Sequence, residues 1–125
     1  MADELRATTT ELTLTSLADP SKSLTLPNAV VLPGVITTVI VPPALLATLG
    51  LAERQRKRSV TPAGVAEVGV HAAATATIRG RGCTVEPVAG VEGGPVLVGQ
   101  LVLDQLDWVI DPATGGLAGG VQSPA

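Results

Sequence analysis

The sequence predicts a single, mainly β domain. Fourteen glycines and ten prolines among 125 residues favour short segments joined by tight turns. The apolar residues are mostly valine, alanine and leucine with many threonines between them, and the β-branched members of this set are enriched in strands. A chain of this length builds one core, and with 46% hydrophobic and 15% charged residues it is too apolar to be disordered.

The first two predicted strands form a hairpin. Residues 8–17 alternate between apolar and polar side chains, with Leu12 and Leu14 on one face, which is the period of a half-buried strand. Residues 18–23 read Ala-Asp-Pro-Ser-Lys-Ser, which is typical of a turn. Residues 24–31 therefore return as a second strand.

A core strand and a short helix follow. Residues 35–41 are rich in β-branched side chains and carry no charge, so they predict a strand in the core. Pro42 and Pro43 can begin a helix, and residues 44–49 favour one. Gly50 is placed to cap its C-terminus.

The middle of the chain predicts a long hairpin. Residues 53–60 form a charged edge strand, residues 61–64 a turn, and residues 65–78 one long alternating strand. One face of that last strand carries a series of apolar side chains: Val68, Val70, Ala72, Ala74, Ala76 and Ile78.

Shorter elements complete the predicted fold. In order, they are a turn at 79–82, a strand at 83–89, a loop at 90–95, a strand at 96–98, a helix at 100–106, a strand at 108–110, a turn at 113–116 and a last strand at 117. The helix is expected to turn Leu101 and Leu106 inward. The domain then covers residues 8–118, between a flexible N-terminus (1–7) and a flexible C-terminal tail (119–125).

Composition argues against several partners and sites. With one tryptophan and neither phenylalanine nor tyrosine, the chain lacks platforms on which bases or sugar rings stack, and its net charge of −3 disfavours a general phosphate binder. One cysteine and one histidine provide neither a disulfide framework nor a Cys/His metal site. We therefore expect no cofactor, no metal, no nucleic-acid partner and a cytoplasmic location, since the acidic start of the chain is unlike an export signal.

A membrane partner is not expected either. Residues 23–52 carry no charge and precede a basic run at 54–58, which superficially resembles a spanning segment. Four prolines interrupt it: Pro27, Pro33, Pro42 and Pro43. The uninterrupted stretches fall far short of the ~20 residues that a spanning helix needs. We expect the basic run to be a solvated strand edge that opposes edge-to-edge association.

Two stretches carry a resemblance to a known family. Residues 95–117 read Pro-Val-Leu-Val-Gly-Gln-Leu-Val-Leu-Asp-Gln-Leu-Asp-Trp-Val-Ile-Asp-Pro-Ala-Thr-Gly-Gly-Leu, and residues 42–51 read Pro-Pro-Ala-Leu-Leu-Ala-Thr-Leu-Gly-Leu. With the order of elements over residues 8–118, they resemble the retropepsin-like aspartic peptidases, in particular small bacterial single-domain members. The resemblance implies a closed β-barrel that pairs as a symmetric homodimer, each copy lending one catalytic aspartate and one flap.

The resemblance also assigns site positions. The flap maps onto Thr61, Pro62, Ala63 and Gly64, and the groove floor onto Val98 and Gly99. The catalytic loop, which in the family reads Asp-Thr-Gly followed by Ala, maps onto Leu32, Pro33, Gly34 and Val35. Two carboxylates that share one proton perform the family's chemistry, and leucine cannot replace either of them. A one-residue shift of register does not help, because no Asp or Glu lies between Asp19 and Glu53.

Three hypotheses remain open at this point. The first is a catalytically degenerate homodimer that serves as a structural module or binds an extended peptide under the flap by strand addition. The second is an active aspartic endopeptidase with a non-standard catalytic acid. The third is an engineered or divergent self-assembling scaffold, whose apolar loop mediates assembly.

The other chemistry-bearing side chains predict structural roles. Three aspartates match surface or capping positions: Asp104, Asp107 and Asp111. His71 lies among alanine and valine and is expected to face solvent or to hold a structural hydrogen bond. Cys83 lies near Arg79 and Arg81, which could lower the pKa of its thiol, but a half-buried structural thiol is the favoured interpretation.

Overall fold

The computed structural model describes residues 8–32, 38–61 and 64–119. Within them the chain forms the following elements: β1 (Thr8–Ser16), β2 (Ser23–Leu32), β3 (Val39–Val41), α1 (Pro43–Thr48), β4 (Glu53–Thr61), β5 (Gly64–His71), β6 (Ala74–Ile78), β7 (Arg81–Val85), β8 (Val88–Ala89), β9 (Leu97–Gly99), α2 (Gln100–Leu106), β10 (Trp108–Ile110) and β11 (Leu117–Gly119).

One large sheet dominates the structure. Its nine strands lie in the order β4-β5-β8-β3-β9-β2-β1-β6-β7, and β10 pairs with β11 in a separate two-stranded sheet. The large sheet curls strongly into a half-barrel, so the predicted mainly β class is confirmed. Closure of the barrel and pairing of two copies stay predictions.

The hydrophobic core is formed by side chains from the large sheet, from both helices and from β10 and β11. Leu12 and Leu14 are fully buried, whereas Glu11 is exposed and Thr13 is half-buried, which confirms the predicted alternation of β1. From α1, Leu46 reaches the core. From α2, the buried side chains are Val102, Leu103 and Leu106.

Helix α2 has the predicted bounds, whereas α1 begins and ends one residue earlier than the predicted 44–49. The prolines at the start of α1 place Pro43 as its first residue, and Gly50 follows its end with a φ of +69°. Helix α2 starts after Gly99 and ends at Asp107, which adopts the left-handed conformation with a φ of +58°. The inward position predicted for Leu101 is wrong: its side chain is 49% exposed, because the buried stripe of α2 runs through its neighbours on the opposite side.

The predicted strand over residues 65–78 is divided into β5 and β6. At the break, the Ala72 N–H donates to the Ala52 carbonyl at 2.9 Å, and the Leu17 N–H donates to the Ala73 carbonyl at 3.2 Å. Strand β5 pairs with β4 and β8, whereas β6 pairs with β1 and β7. The chain therefore bends at 72–73 because its two halves have different partners.

The predicted strand over 83–89 is also two strands, β7 and β8. Pro87, which has no backbone N–H to donate to a ladder, lies between them. The preceding turn is shorter than predicted, since only Arg79 and Gly80 form it, with φ values of +50° and +82°. Of the predicted strand over 35–41, residues 39–41 form β3, and residues 35–37 lie outside the described ranges.

Candidate functional site

Leu32 ends β2 near the middle of the large sheet. It pairs in parallel with Gly99, just as Val31 pairs with Val98. The Gly99 N–H also donates to the Thr38 carbonyl at 2.8 Å. Leu32 and Thr38, the described residues on either side of the predicted catalytic-loop positions, therefore both contact β9. The other predicted positions of that loop lie outside the described residues: Pro33, Gly34 and Val35.

The predicted groove floor is an interior part of the sheet. Strand β9 lies between β2 and β3, and both Val98 and Gly99 are buried. Val98 has no exposed surface and belongs to the hydrophobic core. Neither residue is among those that line the groove described below.

The predicted flap is the far end of the β4–β5 hairpin. The two strands pair from Glu53 and His71 at the base to Thr61 and Gly64 at the tip. Gly64 has a φ of +122°, a conformation that favours glycine. The two residues between them, Pro62 and Ala63, lie outside the described ranges.

The β4–β5 hairpin continues past the point where β5 pairs with the next strand of the large sheet. Strand β8 pairs with β5 only at Val70, which faces Val88. Within the described chain, the outer half of β5, taken as residues 65–69, pairs with a neighbouring strand on its β4 side only. A strand edge that is open over these described residues is the kind of edge to which an extended segment of another chain adds in strand addition.

A groove of about 480 Å³ lies beside the hairpin. It is bounded by the hairpin, by the segment that joins β7 to β8, and by the first two turns of α2. The lining residues are Thr38, Lys57, Arg58, Val68, Val70, Thr84, Val85, Glu86, Val88, Leu101, Val102 and Gln105. One of them, Thr38, is the first described residue after Leu32.

The groove has apolar walls and a polar rim. Val68, Val70, Val88 and Leu101 provide apolar surface along its length. The Thr38 hydroxyl donates to the backbone carbonyl of Glu86 at 3.2 Å, which ties the end of the loop to one wall. Such walls suit an extended chain whose alternate side chains are apolar.

The charges on β4 divide between the two faces of the hairpin. Arg56 lies opposite Gly69 and its Nε donates to Glu53 Oε2 at 3.2 Å, on the face away from the groove. Lys57 lies opposite Val68 on the groove face. Residues 54–58 are all exposed on the outermost strand of the sheet, which confirms the predicted solvated edge.

The aspartates of the C-terminal region are engaged in local structure. Asp104 Oδ1 accepts a hydrogen bond from Gln100 Nε2 at 2.8 Å, and Asp111 Oδ1 accepts one from the Ala113 N–H at 2.8 Å. Asp107 is the C-cap of α2. The predicted surface and capping roles are confirmed.

His71 and Cys83 also hold structural positions. His71 Nδ1 donates to the Leu51 carbonyl at 2.8 Å, which fastens the base of the hairpin. Burial raises the pKa of the half-buried Cys83 thiol. The alternative that Arg79 and Arg81 lower this pKa is wrong, because both guanidinium groups lie over the Trp108 ring instead.

Residues 8–32, 38–61 and 64–119 contain neither a metal-binding cluster nor a membrane-spanning helix. No cluster of three or more His, Cys, Asp or Glu side chains there is arranged to hold a metal ion. Neither α1 nor α2 has the length and apolar character needed to cross a membrane.

Sequence reasoning missed most of the groove wall. It did not single out Lys57, Val68, Glu86 or Leu101 as members of one site. A signal existed for the hairpin residues, since a tight turn at 61–64 places Lys57 directly opposite Val68. No local pattern brings α2 or the β7–β8 connection to the same place.

Comparison with known proteins provides no further assignment. The sequence matches no protein-family model and no curated protein.

Proposed function

We propose that the chain is a non-catalytic binding protein of the retropepsin-like type, which acts as a homodimer and holds an extended peptide in the groove beside the β4–β5 hairpin. The observation that carries the proposal is the groove itself. It combines apolar walls with the single-sided outer half of β5. Backbone pairing supplies affinity in strand addition, and pockets for alternate side chains supply selectivity.

The residues around the groove support binding rather than hydrolysis. Leu32 stands at the position of the family's catalytic aspartate, and the described lining contains a single carboxylate, that of Glu86. Aspartic-peptidase chemistry needs two carboxyl groups within reach of one water molecule. The described lining of the groove contains no such pair of carboxyl groups.

A matched pair of leucine variants tests the peptide site. Leu101 lines the groove and its side chain is 49% exposed. Leu17, the residue that follows β1, is 53% exposed and is not part of the groove lining. We expect Leu101→Gln to weaken binding of peptides selected from a random display library about five- to tenfold, because half a leucine side chain loses its apolar contact. Leu17→Gln is expected to leave the dissociation constant unchanged.

Fluorescence polarisation with labelled peptides, at a temperature where circular dichroism shows both variants folded, measures the difference. Failure of the intact protein to enrich any peptide contradicts the proposal. Equal weakening by the two substitutions contradicts it as well, since the peptide would then lie elsewhere.

The homodimer has its own test. Leu24, Leu26 and Leu45 are only half-buried against the core of one chain, and a second copy can cover apolar surface of this kind. We expect sedimentation velocity at micromolar concentration to show a particle of twice the 12.5 kDa chain mass. A monomer at that concentration contradicts the homodimer while leaving the groove proposal to the leucine variants.

A further inference from the structure

The distribution of charge points to the kind of peptide that the groove takes. The chain carries a net charge of −3, yet Arg54, Arg56, Lys57 and Arg58 are half of its eight Lys and Arg residues and fall within five positions of β4. The hairpin is therefore a locally basic element on an acidic protein. Such a field attracts anionic segments to this part of the surface.

The part of this charge that is not paired with an acid includes two residues that line the groove. Arg56 pairs with Glu53, whose carboxylate fills the space above Gly69. Lys57 and Arg58 both line the groove, and within the described residues neither forms an ion pair. Lys57 lies opposite Val68 on the groove face, whereas Arg58 lies opposite Glu67 and alternates onto the face that carries Arg56. Glu86 is the one described acid on the lining, so the two cations outnumber it.

We infer that the groove selects extended peptides that carry carboxylates, with Lys57 and Arg58 as the specificity-determining residues. The inference rests on the proposed peptide site. An acidic side chain of the bound strand would meet Lys57 and Arg58 at the rim, while its alternate apolar neighbours face Val68 and Leu101.

An anionic nucleic acid is the competing occupant and fits less well. Base recognition in single strands relies on aromatic stacking, and the described lining contains no aromatic side chain. Trp108 is unavailable, because its Nε1 donates to the Ile78 carbonyl and Arg81 covers its ring.

Two substitutions that remove the same charge from opposite faces of β4 provide the test. We expect Lys57→Gln to weaken binding of a glutamate-containing selected peptide about three- to tenfold, and Arg56→Gln to change it less than twofold. The same peptide with glutamine in place of glutamate is expected to bind both variants and the unchanged protein alike. Lys57→Glu combined with Arg58→Glu is expected to favour the lysine-substituted peptide instead.

The outcomes separate the two proposals. Selected peptides that bind through Leu101 without preference for glutamate overturn this inference and leave the proposed function intact. Absence of any peptide binding overturns both. Tighter binding of single-stranded RNA than of the acidic peptide, weakened equally by Lys57→Gln and Arg56→Gln, shows a diffuse basic surface and also overturns the inference.

Discussion

Replacement of Trp108 by alanine is expected to lower the free energy of unfolding by about 3–5 kcal/mol, the range for removal of a large buried aromatic side chain. Trp108 is the only aromatic residue of the chain and is 9% exposed. Its Nε1 donates to the Ile78 carbonyl at 3.2 Å. The substitution therefore creates a cavity and leaves a carbonyl without its donor.

The cations beside the ring add to this effect. The Arg81 Cζ lies 4.1 Å from the centre of the Trp108 ring, and the Arg79 Cζ lies 5.6 Å from it. The same arginines donate to backbone carbonyls: Arg81 to those of Leu106 and Asp107, and Arg79 to that of Leu117. Loss of the ring removes the surface that holds both guanidinium groups in place.

Urea unfolding followed by circular dichroism measures the change, because no tryptophan remains for fluorescence. Val109→Ala is the control: Val109 is the next residue of β10, is 49% exposed, and its truncation is expected to cost less than about 1 kcal/mol. A Trp108→Ala protein within about 1 kcal/mol of the unchanged chain would show that Trp108 does not anchor the C-terminal sheet.

The second large effect is an absence of hydrolysis. We expect no cleavage of a diverse peptide library between roughly pH 4 and pH 7, the range in which a carboxylate pair can share a proton. Each missing acid–base group removes roughly 10²- to 10⁴-fold in rate. Leu32 has neither a proton to give nor a lone pair to accept one.

Mass spectrometry of the incubated library detects cleavage, and a pepstatin-like inhibitor is expected to leave the Tm unchanged. The informative control is Glu86→Gln, which removes the carboxylate that lines the groove. Cleavage by the unchanged chain that disappears in Glu86→Gln would identify a non-standard catalytic acid and contradict the prediction. The converse variant, Leu32→Asp with Pro33→Thr, is expected to gain weak cleavage.

Local sequence patterns correctly predicted those elements in which the spacing of apolar side chains alone decides which face is buried. The alternation around Leu12 and Leu14 follows from the two-residue repeat of a strand, and one face of β1 is buried as expected. Gly50 ends α1 because few other residues adopt its positive φ without strain. These features involve contacts within a few residues of each other.

Errors arose where long-range partners decide the outcome. The run from 65 to 78 keeps a continuous two-residue alternation, yet it bends at 72–73 because its halves join different neighbours in the sheet. Leu101 is as apolar as Leu103, but only the latter faces the core. Periodicity identifies an amphipathic element without identifying what will cover each face.

The sequence by itself determined the mainly β class, the positions of the helix ends to within one residue, and the lack of any carboxylate between residues 19 and 53, which no fold can change. Only the tertiary structure placed Thr38, Lys57, Glu86 and Leu101 around one groove. The physical reason is that these residues come from four separate segments. Pairing between distant strands and packing of α2 bring them together, and neither is encoded in a short window of sequence.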